Sequence, residues 1–297
     1  MSTAPVKKQA SSAARRTGFE TTLTEQQAAA LAEVKARMAK TELQPDLDQN
    51  PDGDRFTLRF LRATMSHKSS DRVFNVDKAV DRLTRTLRWR RKYKADHWRR
   101  VLETGGPMPE GYDRYMMDVR PGLELVDPAT GRPVRFERFG LLSQYLNTHH
   151  FTEDEWITFF VIDLEKNMNK MRAESAARGV EVSTMVSIID EAGAGLGVLS
   201  RMGLFKVMNQ AASEYYPEFI SNVFILRAPW VFSASFNTIK GFLDPDMASK
   251  IVVTNGLGTE ALGGVLAQEL IPAELGGESK AEMPVPIDAR HVFKSAP

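Results

Sequence analysis

The second half of the chain alternates short β-branched runs with amphipathic helical ones, and few folds accept that order. After the glycine- and proline-rich stretch GGPMPEGYD (105–113), RPVRFERF (132–139), VSTMVSIID (182–190), NVFILRAP (222–229) and IVVTN (251–255) read as strands. Helical patterns lie between them. TEDEWITFFVIDLEKNMNKMRAE (152–174) opens on the capping pair Thr152 and Glu155 and carries Trp156, Phe160, Leu164 and Met168 on one face. VLSRMGLFKVMNQAASEYY (198–216) is the second. Strand, helix, strand in succession, joined by right-handed crossovers, predicts a largely parallel sheet.

The first hundred residues contain no such strands. Thr24 and Gln27 form a capping-box pattern, and Leu31, Val34 and Met38 continue it at helical spacing. TELQPDLDQNPDGD (41–54) has the turn residues of a loop, and RFTLRFLRA (55–63) resumes a helical pattern. In VFNVDKAVDRLTRTLRWRRKY (73–93), Val76, Val80, Leu83 and Leu87 make one apolar stripe, with Lys78, Arg82, Arg85 and Arg88 away from it. A small helical bundle is expected. Residues 1–20 are rich in Ser, Ala and basic residues and read as a disordered tail, with a transit peptide as the alternative.

Several function classes are excluded or weakened. A formal net charge of +1 in 297 residues favours neither nucleic acid nor an acidic substrate. No cysteine is present, so there is no disulfide framework or thiolate metal site, as fits a reducing compartment. No run approaches the roughly 18 to 20 apolar residues of a membrane span. DEAGAGLG (190–197) is a glycine-rich turn between strand and helix, but Val198 stands where a dinucleotide fingerprint needs its third glycine. GVLSRMG (197–203) has the wrong spacing for a nucleophile elbow, and the adjacent His149 and His150 make a poor metal pair. The basic run RLTRTLRWRRKYKADHWRR (82–100) reads as a solvated helix face, with a phosphate-rich membrane surface as the alternative. The chain is expected to have no catalytic residues, no metal and no cofactor.

WVFSASFNTIKGFLDP (230–245) is unusual for its apolar surface. Phe232, Phe236, Ile239 and Leu243 fall on one face of a short helix, widened by Trp230 and Phe242. Such a stripe is either core or a lid over something apolar that is not protein.

In order along the chain, FLRA (60–63), RVFNVDKAV (72–80), WRRKY (89–93), DPATGRPVRFERFG (127–140), IID (188–190), YYPE (215–218), APWVFSASFNTIKGFLDPDMASKI (228–251) and PAELGG (272–277) resemble the CRAL-TRIO family of lipid-binding and transfer proteins. The resemblance implies an α/β fold: a small helical N-terminal module over 21–106, then a lipid-binding domain over 107–280 and a tail over 281–297. In that domain a largely parallel sheet floors an apolar cavity closed by a gate helix. WVFSASFNTIKGFLDP would be the gate, through Phe232, Phe236, Ile239, Phe242 and Leu243. Gly241 would be its flexible joint or simply a helix terminator.

The implied function is a cytosolic carrier of a phospholipid, phosphatidylinositol first, in transient contact with membranes and monomeric, with no nucleic-acid partner. Carried over residue by residue, Lys250 and Arg72 would meet the lipid phosphate, Glu218 and Ser187 would orient its polar part, and Trp156, Phe159 and Phe160 would line the cavity or pack as core. TMSHKSSD (64–71) interrupts the family pattern before Arg72. Met247 and Met185 replace hydroxyl side chains, and Arg135 stands where a tyrosine is expected. Another hydrophobic ligand, or a protein-interaction scaffold that carries no lipid, are the other readings.

Overall fold

The computed structural model describes residues 19–65, 73–140, 151–194, 202–233, 236 and 245–284. They fall into two compact units, Met1–Asp96 with Asn209–Glu218, and His97–Met208 with Phe219–Pro297. The division falls at Asp96/His97, and the YYPE segment belongs to the first unit.

The first unit holds helices α1 (Glu25–Met38), α2 (Gln44–Asp48), α3 (Asp54–Ala63) and α4 (Val76–Lys92). The capping box at Thr24 forms as predicted, with Gln27 N donating to Thr24 Oγ1 at 3.2 Å and Thr24 N to Gln27 Oε1 at 3.1 Å. Leu31, Val34 and Met38 of α1 meet Phe56, Phe60 and Leu61 of α3 and Ala79, Leu83 and Leu87 of α4 in one core. The stretch expected to be a loop contains α2, because Pro45 stands in its first turn, where a missing N–H leaves no bond unmade. On the basic face of α4, Lys78, Arg85 and Arg88 are exposed as their spacing implied, and Arg82 is half-buried. Arg82 Nε donates to the Glu214 carbonyl at 2.9 Å, Arg85 Nη2 to the Glu214 carboxylate at 2.6 Å, and Trp89 stacks on Tyr215 at 4.4 Å.

The second unit is built on a five-stranded sheet: β1 (Gly122–Val126), β2 (Pro133–Glu137), β3 (Met185–Asp190), β4 (Ile220–Leu226) and β5 (Ile251–Val253), in that spatial order. β2 to β5 are parallel, and β1 pairs antiparallel with β2 across a short turn. Helix α5 (Ala95–Thr104) begins at the end of the first unit. α6 (Glu153–Arg178) follows β2, α7 (Met202–Tyr215) follows β3 and ends within the first unit, α8 (Pro245–Lys250) precedes β5, and α9 (Thr259–Gly263) follows it. The largely parallel α/β architecture is as expected, and β1 is the strand the sequence did not announce. The capping box of α6 forms, with Glu155 N donating to Thr152 Oγ1 at 3.3 Å. Gly111, at a φ of 83°, brings the chain so close to Phe151 that an added Cβ would lie 3.1 Å from its ring.

Candidate functional site

Side chains paired across neighbouring strands point to the same face of a sheet. Phe136, Ile188, Phe224 and Val252 form one such row, and that face is sealed by Leu262, Leu266, Ile271, Leu275 and Met283 from the chain after β5. The other face carries Glu124, Arg135, Ser187, Val223 and Ile251 in one row and Glu137, Ile189, Ile225 and Val253 in the next.

This second face is divided. Over β3 to β5 it is aliphatic, and Ala228, Phe232 and Phe236 pack against Ile225, Ile189, Val223, Ile251 and Val253. Ile189, Val223, Ile251 and Val253 are nonetheless only half-buried, although Ile225 is buried; on the sealed face Phe136, Ile188 and Phe224 are fully buried and Val252, on the short last strand, is half-buried. Apolar side chains that keep accessible surface on a sheet face already covered by aromatic rings are where an apolar ligand could add contact.

Over β1 and β2 the same face is ionic. Arg135, 2% exposed, donates through Nη1 to Glu124 Oε1 and Asp163 Oδ1, both at 2.6 Å, and through Nη2 to the Arg120 carbonyl at 3.1 Å. Its Nε lies 2.9 Å from Glu137 Oε1, an ion pair off the line of a hydrogen bond. Arg120 Nε also holds Glu137, at 2.8 Å, and its guanidinium lies over the Phe160 ring at 5.5 Å. Lys166 Nζ reaches Glu124 Oε1 at 3.1 Å, and Lys170 bonds the same carboxylate. Burial pushes the Glu124 carboxyl up, but Arg135, Lys166 and Lys170 outweigh it and bring it down to about 2. Glu137 is likewise lowered, because Arg120 and Arg135 more than offset its burial. Burial drives the Tyr115 hydroxyl up to about 12 although Arg120 donates to it.

The predicted site residues are distributed as follows. Ser187 is half-buried beside Arg135 in register, where the ionic and aliphatic halves meet. Phe232 and Phe236 turn inward onto the aliphatic half, their rings 6.3 Å apart. Lys250 is half-buried, the last residue of α8, directly before β5. Trp156 and Phe159 pack with Tyr112, Tyr115 and Phe151 in an aromatic cluster, Trp156 at 5.4 Å from Tyr115 and Phe159 at 5.2 Å from it. Phe160 faces Arg120. Glu218 belongs to the first unit, where its carboxylate accepts from Arg62 Nε at 2.5 Å and its carbonyl from Arg59 Nη1 at 3.3 Å. Arg72, Ile239, Gly241, Phe242 and Leu243 lie outside the described residues, as do His149 and His150.

Sequence reasoning missed Arg59 and Arg62. Their signal was present: two arginines three apart on α3, both buried among Phe56, Phe60 and Leu61, require an acidic or carbonyl partner. Among the described residues no group of three or more His, Asp or Glu side chains could hold a metal, and no helix is long and apolar enough to cross a membrane.

A helical N-terminal unit followed by a mostly parallel five-stranded sheet, sealed on one face and half-covered on the other, defines an α/β protein of the helical-module-plus-sheet class. The chain belongs to the CRAL/TRIO domain family, whose model matches residues 129–277. It is 28% identical over 240 residues to the phosphatidylinositol/phosphatidylcholine transfer protein SFH12 of Arabidopsis thaliana, covering 78% of this chain and 40% of that one. It is 27% identical over 234 residues to the Sec14 cytosolic factor of Schizosaccharomyces pombe, covering 75% and 74%. The crystal structure of Sfh5 superposes with a TM-score of 0.63 at 18% identity, over 92% of this chain and 99% of that one, and shares its fold.

Proposed function

We propose that this chain is a non-catalytic carrier of a phospholipid, with phosphatidylinositol the leading ligand. The observation that carries the reading is the half-buried aliphatic surface over β3 to β5 beneath Phe232 and Phe236. The names of the relatives, a phosphatidylinositol/phosphatidylcholine transfer protein and a cytosolic factor, support lipid as the cargo and the cytosol as the place of work. Each methylene exposed to water costs about 0.8 kcal/mol, so a free acyl chain costs on the order of 10 kcal/mol, and a carrier must cover it. Phe232 and Phe236 are the cover, in contact with bound lipid until it leaves for a bilayer.

Lys250 serves as the phosphate partner, with Arg72 as a second cation. Ser187 orients a polar group at the edge of the aliphatic half. Glu218 orients a polar group of the ligand in this reading, and its carboxylate already holds Arg62. Arg135 and its carboxylates fill the β2 position where a tyrosine was expected, leaving no hydroxyl there for a choline-bearing lipid.

The test is extraction of lipid from purified protein and its identification by mass spectrometry, with transfer of phosphatidylinositol between vesicles measured beside it. Stoichiometric phospholipid, and a several-fold loss of transfer in Lys250→Ala with folding intact, are expected. Protein that never carries lipid is instead a scaffold.

A further inference from the structure

Among the described residues the large apolar side chain most open to water is Trp230, 76% exposed. Phe232, two residues on, is 6% exposed, because residues two apart on a helical turn point to opposite sides. The turn that displays Trp230 is fixed to its neighbour. Arg227 N donates to the Gly256 carbonyl and Ala228 N to that of Thr254, both at 2.9 Å. Asn255 Nδ2 reaches the Ala228 carbonyl at 2.7 Å and Ser233 Oγ at 3.0 Å. These bonds tie the loop after β5 to the Trp230 turn, and that loop carries Leu257, itself 36% exposed. Neither 228–236 nor 251–259 contains a charged residue. Arg227, the nearest cation in sequence, is committed to Asp190, with Nε 2.7 Å from Oδ1.

We infer that Trp230 and Leu257 form a fixed docking edge for the interface of a zwitterionic bilayer. The inference rests on the carrier reading above, and it assigns docking to a pinned turn rather than to a moving helix. An indole, with an apolar body and an N–H that headgroups can satisfy, suits the depth of a membrane interface. Two segments without a charged residue, 228–236 and 251–259, offer anionic lipid no partner of their own. The opposite side of the same turn, through Ala228 and Phe232, is the cover of the aliphatic surface, so a lipid leaving that surface meets the bilayer where Trp230 has already entered it.

Four tryptophans are present, and Trp89, Trp98 and Trp156 are buried or half-buried, so fluorescence isolates Trp230. Full-length protein is mixed with phosphatidylcholine vesicles whose acyl chains carry bromine. The expected result is a blue shift and quenching that Trp230→Phe abolishes. A Trp230→Ser/Leu257→Ser variant should float with vesicles at least about tenfold less while keeping its co-purified lipid. The inference is overturned if quenching is the same in Trp230→Phe, or if the double variant floats like the parent. A parent that forms a dimer dissolved by Trp230→Ser also overturns it, since the edge then meets a second copy. Quenching without any co-purified lipid would uphold docking and remove the carrier reading, so the two fail separately.

Discussion

Arg135 Nη1 donates to Asp163 Oδ1 at 2.6 Å with both side chains at most 4% exposed, which fastens β2 to α6 by charge rather than by hydrocarbon. Removing one partner of such a pair leaves the other charge without compensation in a dry site, typically costing about 3–5 kcal/mol. Asp163→Ala should therefore destabilise the protein by about that amount. Arg135→Leu/Asp163→Leu should recover most of it, because Arg120 keeps Glu137 and Glu124 keeps Lys166 and Lys170. Urea denaturation of the two variants and the parent checks both values.

Two carboxyls set opposite pH limbs. Glu124, lowered to about 2, contributes stability that is present above about pH 4.5 and lost as pH falls through 2, worth about 3 kcal/mol for a shift of this size. Glu191 is 2% exposed, Oε2 has no hydrogen-bond partner among the described residues, and burial beside Asp190 raises it to about 7. A raised carboxyl holds its proton in the folded state after the unfolded chain has lost it. Stability should thus fall as pH rises from about 4.5 to 7 and stay low above that. Glu191→Gln should raise the urea midpoint at pH 8, by a free energy of about 2–3 kcal/mol, and leave it unchanged at pH 4.

The Arg62–Glu218 pair gives a prediction confined to the helical unit. Arg62 is buried, and Glu218 holds it from a backbone φ of 56°, a region costly for a side-chain-bearing residue. Glu218→Gln strips the charge that compensates Arg62 and should cost about 2–3 kcal/mol. Glu218→Gly removes the acceptor as well as the charge and should cost at least as much, with about 1 kcal/mol returned by relief of the φ strain. Thermal unfolding followed by near-ultraviolet dichroism, which reports Trp89 on Tyr215, compares the two.

Much of this was legible in the sequence wherever a periodic signal was local. Both capping boxes, the α4 stripe and the parallel strands β2 to β5 follow from side-chain types at fixed spacing. β1 was hidden because its alternation, Leu123 and Leu125 about Glu124, spans only three of its five residues, too short to mark a strand by itself. The ionic half of the sheet was hidden for a different reason. Arg135 looked like the loss of a tyrosine, and only the tertiary fold brings it to Asp163, 28 residues away on another element. Arg62 and Glu218 are 156 residues apart, beyond the reach of any local pattern.

Phe232 is the residue whose chemistry separates a packed core from a ligand cover. It contacts the aliphatic half of the sheet, where the facing side chains keep accessible surface. Phe232→Leu retains apolar contact and should preserve folding and co-purified phospholipid, with a loss of about 1 kcal/mol of stability. Phe232→Asp would place a carboxylate against Ile225 and Ala228. Beneath an acyl chain that charge must be dry, at a cost of several kcal/mol. The expected outcome is a folded Phe232→Asp protein with at least about a tenfold loss of bound phospholipid by mass spectrometry. A Phe232→Asp variant that unfolds while Phe232→Leu and the parent carry no lipid would mark the same surface as ordinary core.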